Sequence, residues 1–153
     1  MTLRKFILAA GVLAGLSLAA CNQQPAAETA PAAEAPKKSL ARQAPFYQGQ
    51  ENVQSIESAS VKQAPGGGLD LEAKVTTDGA GWQNLGFLPR VYAATPPDGI
   101  YEIDVVADRP ATPGAAGPTP AEIKSAWDKY KDGRVKGVKF ISKTNEVVAM
   151  VGG

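Results

Sequence analysis

"GGGLDLEAKVTTDG", residues 66–79, is the stretch that settles the class of fold. From Leu69 to Val75 apolar and polar side chains alternate: Leu69, Leu71, Ala73 and Val75 point one way, and Asp70, Glu72 and Lys74 the other. A period of two is the signature of a half-buried strand, with one face on a core and one in water. The glycines 66–68 and the Asp78-Gly79 pair bound it with turns.

A second alternation lies in "TPPDGIYEIDVVADRP", residues 95–110. Pro96-Pro97-Asp98-Gly99 reads as a turn, because proline presets φ and glycine permits a positive one. Beyond it Tyr101, Ile103, Val105 and Ala107 share a face, with Glu102 and Asp104 on the opposite, wet one. Val53 to Lys62 reads as a weaker strand. Trp82 to Ala93 reads as two short strands or an edge, since Pro89 interrupts it. Residues 110–120, "PATPGAAGPTP", read as a surface loop. At the end of the chain, Val135–Ile141 and Glu146–Val151 read as a hairpin around Lys143-Thr144-Asn145, with Val147–Val151 apolar enough for an interior strand.

One segment breaks the period. In "TPAEIKSAWDKYKDG", residues 119–133, Thr119 and Glu122 are spaced as a capping box and Pro120 suits the first helical position. Ile123, Ala126, Trp127 and Tyr130 form one helical stripe, and Gly133 is a stop. The pattern predicts a short helix near 120–131; the competing reading is an extended edge segment with Trp127 and Tyr130 plugging the core. The fold expected is mainly β: a small antiparallel sandwich, or an antiparallel sheet with that one helix, formed by a single domain over residues 46–153. "GW.N" at residues 81–84, "PPDGIYEIDVVAD" and "VKGVKF" with Thr144-Asn145 resemble bacterial immunoglobulin-like domains; that resemblance implies a fold and carries over no site.

The first twenty residues have a different character. Arg4 and Lys5 precede a fifteen-residue apolar run, Phe6 to Ala20, which is short of the ~20 apolar residues a spanning helix needs. A charged start, a short apolar middle and small residues before a cleavage point describe a secretory signal over residues 1–20. The tetrad Leu18-Ala19-Ala20-Cys21 resembles the lipobox of bacterial lipoproteins. Membership implies lipidation of Cys21, cleavage just before it, acylation and attachment to a membrane. Asn22 is not the aspartate that retains some lipoproteins in the inner membrane, so the resemblance implies the periplasmic face of the outer membrane. Two or more acyl chains anchor stably, at ~0.8 kcal/mol per buried CH₂. Residues 21–45 are rich in Ala, Pro, Glu and Gln and have few large apolar side chains, which predicts a disordered tether behind the anchor.

Composition then excludes classes of chemistry. The chain has no histidine and Cys21 is its one cysteine, so His-based acid–base catalysis, Ser-His and Cys-His nucleophiles and thiolate metal sites are not expected. No cofactor, no metal and no nucleic-acid partner is expected; loss of Arg4 and Lys5 leaves a net charge of −1, without a basic footprint. The carboxylate pairs Asp70/Glu72 and Glu102/Asp104 have spacing suited to Ca²⁺ or glycoside chemistry, yet both fall on predicted solvated faces. Residues 119–153 carry net +3, with Lys124, Lys129, Lys131, Arg134, Lys136, Lys139 and Lys143 in one stretch. Trp82, Trp127, Tyr130 and Lys136 are the candidate contacts for a partner, either an envelope protein or cell-wall glycan. The function expected is a non-catalytic interaction or structural module of the envelope; the alternative is a periplasmic carrier or sensor of a small ligand.

Overall fold

The computed structural model describes residues 39–152, and the described part is all strand and turn. The expected signal sequence, Cys21 and most of the expected tether lie outside the described residues. The strands are β1 (Ala41–Arg42), β2 (Gln50–Asn52), β3 (Ser55–Gln63), β4 (Leu69–Gly79), β5 (Gln83–Pro89), β6 (Val91–Tyr92), β7 (Ile100–Asp108), β8 (Ala116–Trp127), β9 (Gly137–Ile141) and β10 (Glu146–Met150). They make a sandwich of a three-stranded sheet, β3-β4-β8, against a five-stranded one, with β1 and β6 paired separately.

β7 is the spine of the larger sheet. β5 pairs antiparallel along one of its edges. β9 and then β2 take successive stretches of the other edge, since Ile103 partners both Pro89 and Phe140, and Val106 both Gly86 and Asn52. The β7–β9 pair is parallel, an exception to the antiparallel pattern expected. β5 contains a bulge after Gln83, where Asn84 takes φ 48° and its side-chain amide donates to Asp108 Oδ2 at 2.7 Å. Asparagine tolerates this left-handed backbone better than most residues.

The core is what the alternations foretold. Leu69, Leu71, Ala73 and Val75 of β4 are buried, as are Tyr101, Ile103, Val105 and Ala107 of β7. Phe140 of β9 is fully buried and meets Phe87 edge-on at 5.4 Å. Each large side chain buried this way contributes roughly 1.5–3 kcal/mol. Along one side the two sheets are stitched together. Val61 of β3 bridges Val151, and the Gly152 N–H donates to Val61 O at 3.1 Å. At the β9–β10 turn, Lys143 N–H donates to Val53 O and Thr144 N–H to Gln54 O. Asn145 imitates a strand residue there: it accepts from Ile56 N–H at 2.9 Å and donates to Ile56 O at 2.8 Å.

Several expectations are corrected. Residues 116–127 are strand β8, not a helix: Leu69 to Thr77 of β4 align with Trp127 to Thr119 in one antiparallel ladder. Ile123 and Trp127 still reach the core, because both a period of two and a helical stripe place them on one face. The capping box does not form; the Thr119 hydroxyl donates to Gly117 O instead. β10 is not an interior strand of its sheet but the end of it, with Val148 and Met150 half exposed. Glu102 and Asp104 do not face water: their relative exposures are 6% and 1%. The strand β1 also falls within the stretch read as tether, and it pairs Ala41 with Tyr92 and Arg42 with Val91.

Candidate functional site

The carboxylates of β7 are buried because cations reach them from other elements. Arg90, in the gap between β5 and β6, grips Asp104 through Nε at 2.8 Å and Nη2 at 3.0 Å, and Glu102 through Nη1 at 2.8 Å. Lys139 of β9 meets Glu102 Oε1 at 3.0 Å, and Asn52 of β2 donates to Asp104 Oδ1 at 3.3 Å. Burial pushes the Glu102 carboxyl up, but hydrogen bonds from Lys139 and Ser39 and the charges of Lys139 and Arg90 outweigh it and hold it below its ordinary 4.5. For Lys139 the same contest ends with the amine raised, since burial is overcome by Glu102 and Glu146. No buried side-chain polar atom among the described residues lacks a partner. The Arg90–Glu102–Asp104–Lys139 network is a structural clasp that ties β7 to β9 and to the β5–β6 connection.

The other acidic pair, Asp70 and Glu72, sits on the outer face of β4, in the smaller sheet. The four carboxylates are therefore divided between two sheets, and among the described residues no cluster of three or more acidic side chains is placed to hold a metal ion. Five of the seven cations of the basic stretch are in ion pairs: Lys124 with Glu72 and Glu122, Lys131 with Asp128, Arg134 with Asp132, Lys139 with Glu102 and Glu146, and Lys143 with Glu51.

The aromatic candidates separate as well. Trp127 is buried, and with Tyr130 it packs on Tyr101 at ring separations of 6.0 and 4.8 Å; Tyr92 closes the cluster at 5.0 Å. These rings plug the core. Burial raises the Tyr92 phenol to about 12, and its oxygen accepts from the Glu102 N–H at 2.9 Å. Lys136 is exposed, but its ammonium donates to Gly133 O at 3.0 Å and its stem lies against the Gly99 turn.

Trp82 is placed differently. It lies in the turn between β4 and β5, half-buried, at the wall of an open cleft of about 230 Å³. Asp78, Arg109, Pro110 and Pro113 complete the wall, with Gly79, Ala80, Gly114 and Ala116 as a small-residue floor. Close backbone approach holds the two sides of the cleft together. The Ala80 N–H donates to Ala115 O at 2.9 Å, and a Cβ on Gly114 would lie 2.5 Å from Ala80 O. The indole N–H donates to Asp78 Oδ1 at 2.9 Å, which fixes the ring. Arg109 and Lys143 stand 5.9 and 5.3 Å from its centre, within reach of the ring's negative face. Both cations also bind Glu51. The hydrogen bond from Lys143 is the main reason the Glu51 carboxyl lies below its ordinary 4.5; burial opposes it, and the charges of Lys143 and Arg109 add to it. The result is a rigid aromatic wall beside an exposed guanidinium, with small residues beneath. Such a surface is chemically suited to a flat, partly apolar group with a negative or hydrogen-bonding edge.

Of the cleft, only Trp82 was singled out by the sequence. The closeness of Asp78 and Trp82 across the β4–β5 turn was a usable signal; Arg109, far downstream beyond β7, had none. Comparison of the chain with protein-family models, with curated proteins and with solved structures gives no match.

Proposed function

We propose that the chain is a lipid-anchored envelope module that binds without catalysing, and that its binding surface is the Trp82 cleft, for an acidic cell-wall glycan. Leu18-Ala19-Ala20-Cys21 supports the anchor, and the Ala/Pro-rich residues 22–38 supply a tether leading to the domain. The observation that carries the binding reading is the held indole beside Arg109. An indole presents apolar area with little conformational freedom to lose, and the C–H face of a sugar ring fits against it. A guanidinium beside it suits a carboxylate on that sugar, because Arg is pre-organised for planar acids. The cleft opens at the surface, while the space between the sheets is filled by Tyr101, Ile103, Val105 and Phe140. That favours contact with a large, extended partner over enclosure of a small one.

Co-sedimentation with purified cell-wall sacculi tests the reading. The full chain in mild detergent is expected to pellet with the sacculi, and Trp82→Ala to weaken retention about tenfold, as loss of an aromatic anchor does. Arg109→Ala is expected to weaken it also and to reduce its dependence on salt. Retention unchanged by Trp82→Ala, or no retention at all, overturns the proposal.

A further inference from the structure

Among the described residues β8 is the last strand of its sheet, and one of its edges pairs with no other described strand. β5 comes alongside without joining its ladder. The direction of that free edge is set by one contact: Thr119 O accepts from Thr77 Oγ1 of β4, so its peptide groups turn toward β4. Peptide groups of successive residues in a strand turn to opposite edges. Ala121, Ile123 and Ser125 therefore bond to β4, and Pro118, Pro120, Glu122, Lys124 and Ala126 turn outward. Proline has no N–H to present, and proline and charge are the usual guards of an exposed edge. Here the prolines guard only the first half. From Glu122 on, N–H and C=O groups are both presented, and the side chains of Glu122 and Lys124 are 46% and 64% exposed.

The charge pattern of this proline-free half is self-complementary. We infer that β8 pairs antiparallel with β8 of a second copy of the chain, about a two-fold axis at Ile123. In that register Glu122 of each copy lies directly opposite Lys124 of the other, on the same face, and the two residues exchange both backbone hydrogen bonds. The N–H of Ala126 meets the C=O of Pro120; the Ala126 C=O, at the rim of the contact, keeps its water. Neighbouring registers are excluded. A slip of two residues sets Glu122 against Glu122 or Lys124 against Lys124, and like charges directly opposite are destabilising. A slip of one residue opposes outward groups to inward ones and breaks the ladder. Within one chain the carboxylates of Glu72 and Glu122 share Lys124, at 3.3 and 3.1 Å. Across the pair the row Glu72, Lys124, then Glu122 and Lys74 of the second copy alternates in sign. The contact is isologous, as closed dimers require. It depends on the edge alone and stands whether or not the Trp82 cleft binds glycan.

The protein mass per particle of the full chain in mild detergent, from light scattering across the micromolar range, tests this inference. The wild type is expected to show twice the mass of one chain. Lys124→Pro removes an outward N–H, repeats the Pro118 and Pro120 pattern and is expected to give monomer. Glu122→Lys, which sets Lys against Lys, is expected to do the same. The double exchange Glu122→Lys with Lys124→Glu restores the opposite charges and is expected to regain the doubled mass. A wild type that is monomeric throughout overturns the inference. So does a doubled mass that persists in both single variants, the result expected if two lipid anchors merely share a micelle. A folded double exchange that stays monomeric overturns it too; circular dichroism establishes folding, and the charge series stands if Lys124→Pro unfolds.

Discussion

Arg90 shows how one side chain changes what a strand pattern means. On alternation alone Glu102 and Asp104 belong on the face away from the core, and they are there. Whether that face is wet was decided elsewhere: by Arg90, by Lys139, by Asn52 and by the chain near Ser39, none of them part of β7. Removing Arg90 leaves two carboxylates buried beside one lysine. Arg90→Leu is expected to lower stability by about 3 kcal/mol in urea unfolding, the low end for a broken buried pair because the guanidinium keeps some exposure. Arg134→Leu, which breaks an exposed pair with Asp132, is expected to leave the unfolding midpoint where it is. Equal effects from the two substitutions would mean that the β7 clasp contributes no more than a surface pair.

β8 is the element on which sequence and structure part. Its residues carry a helical stripe, a cap pair and a proline at a helix start, and each signal is sound in isolation. β4 overrides them. Its outer edge must satisfy a row of N–H and C=O groups over eleven residues, and β8 is the strand that does so. The segment just before β8 also closes the Trp82 turn, where Gly114 permits the close approach to Ala80. A methyl group there meets backbone and not a flexible side-chain end. Gly114→Ala is therefore expected to destabilise by about 1–3 kcal/mol, in the range for overpacking. It is also expected to loosen the cleft, seen as a red shift of Trp82 fluorescence in a Trp127→Phe background. An unshifted spectrum would mean that the cleft wall does not depend on this contact.

For the whole molecule, the absence of histidine sets the pH behaviour. Glu102 and Glu51 are held below their ordinary 4.5, so they stabilise the fold above that pH and the contribution is lost as acid protonates them. Tyr92 and Lys139 are raised, so their contribution is complete below pH 10 and falls as pH climbs toward 12. Stability measured by urea unfolding is expected to be flat from about pH 5 to 9 and to fall at both ends. A maximum or step near pH 6.5 would contradict this. The proposed anchor is tested on the whole chain: Cys21→Ser is expected to release the protein from the membrane or to leave an uncleaved precursor, read by fractionation and mass spectrometry.

The sequence by itself determined the strands with a period of two, β4 and β7, and the core they share, because alternation depends only on the geometry of an extended backbone. It also determined the turn at Pro96–Gly99, which the structure closes with Gly99 N–H on Pro96 O at 3.0 Å, and the β9–β10 hairpin. The lipobox resemblance at Leu18–Cys21 is likewise written in local order. Only the tertiary structure decided that residues 116–127 are strand, that Glu102 and Asp104 are dry, and that Trp82, and not Trp127 or Tyr130, stands at a surface cleft. Each of those depends on a partner from another element: β4 for β8, Arg90 for β7, Arg109 and Pro110 for Trp82. Local pattern reports which face a residue takes. What then covers that face is settled by long-range pairing, which leaves no period in the sequence.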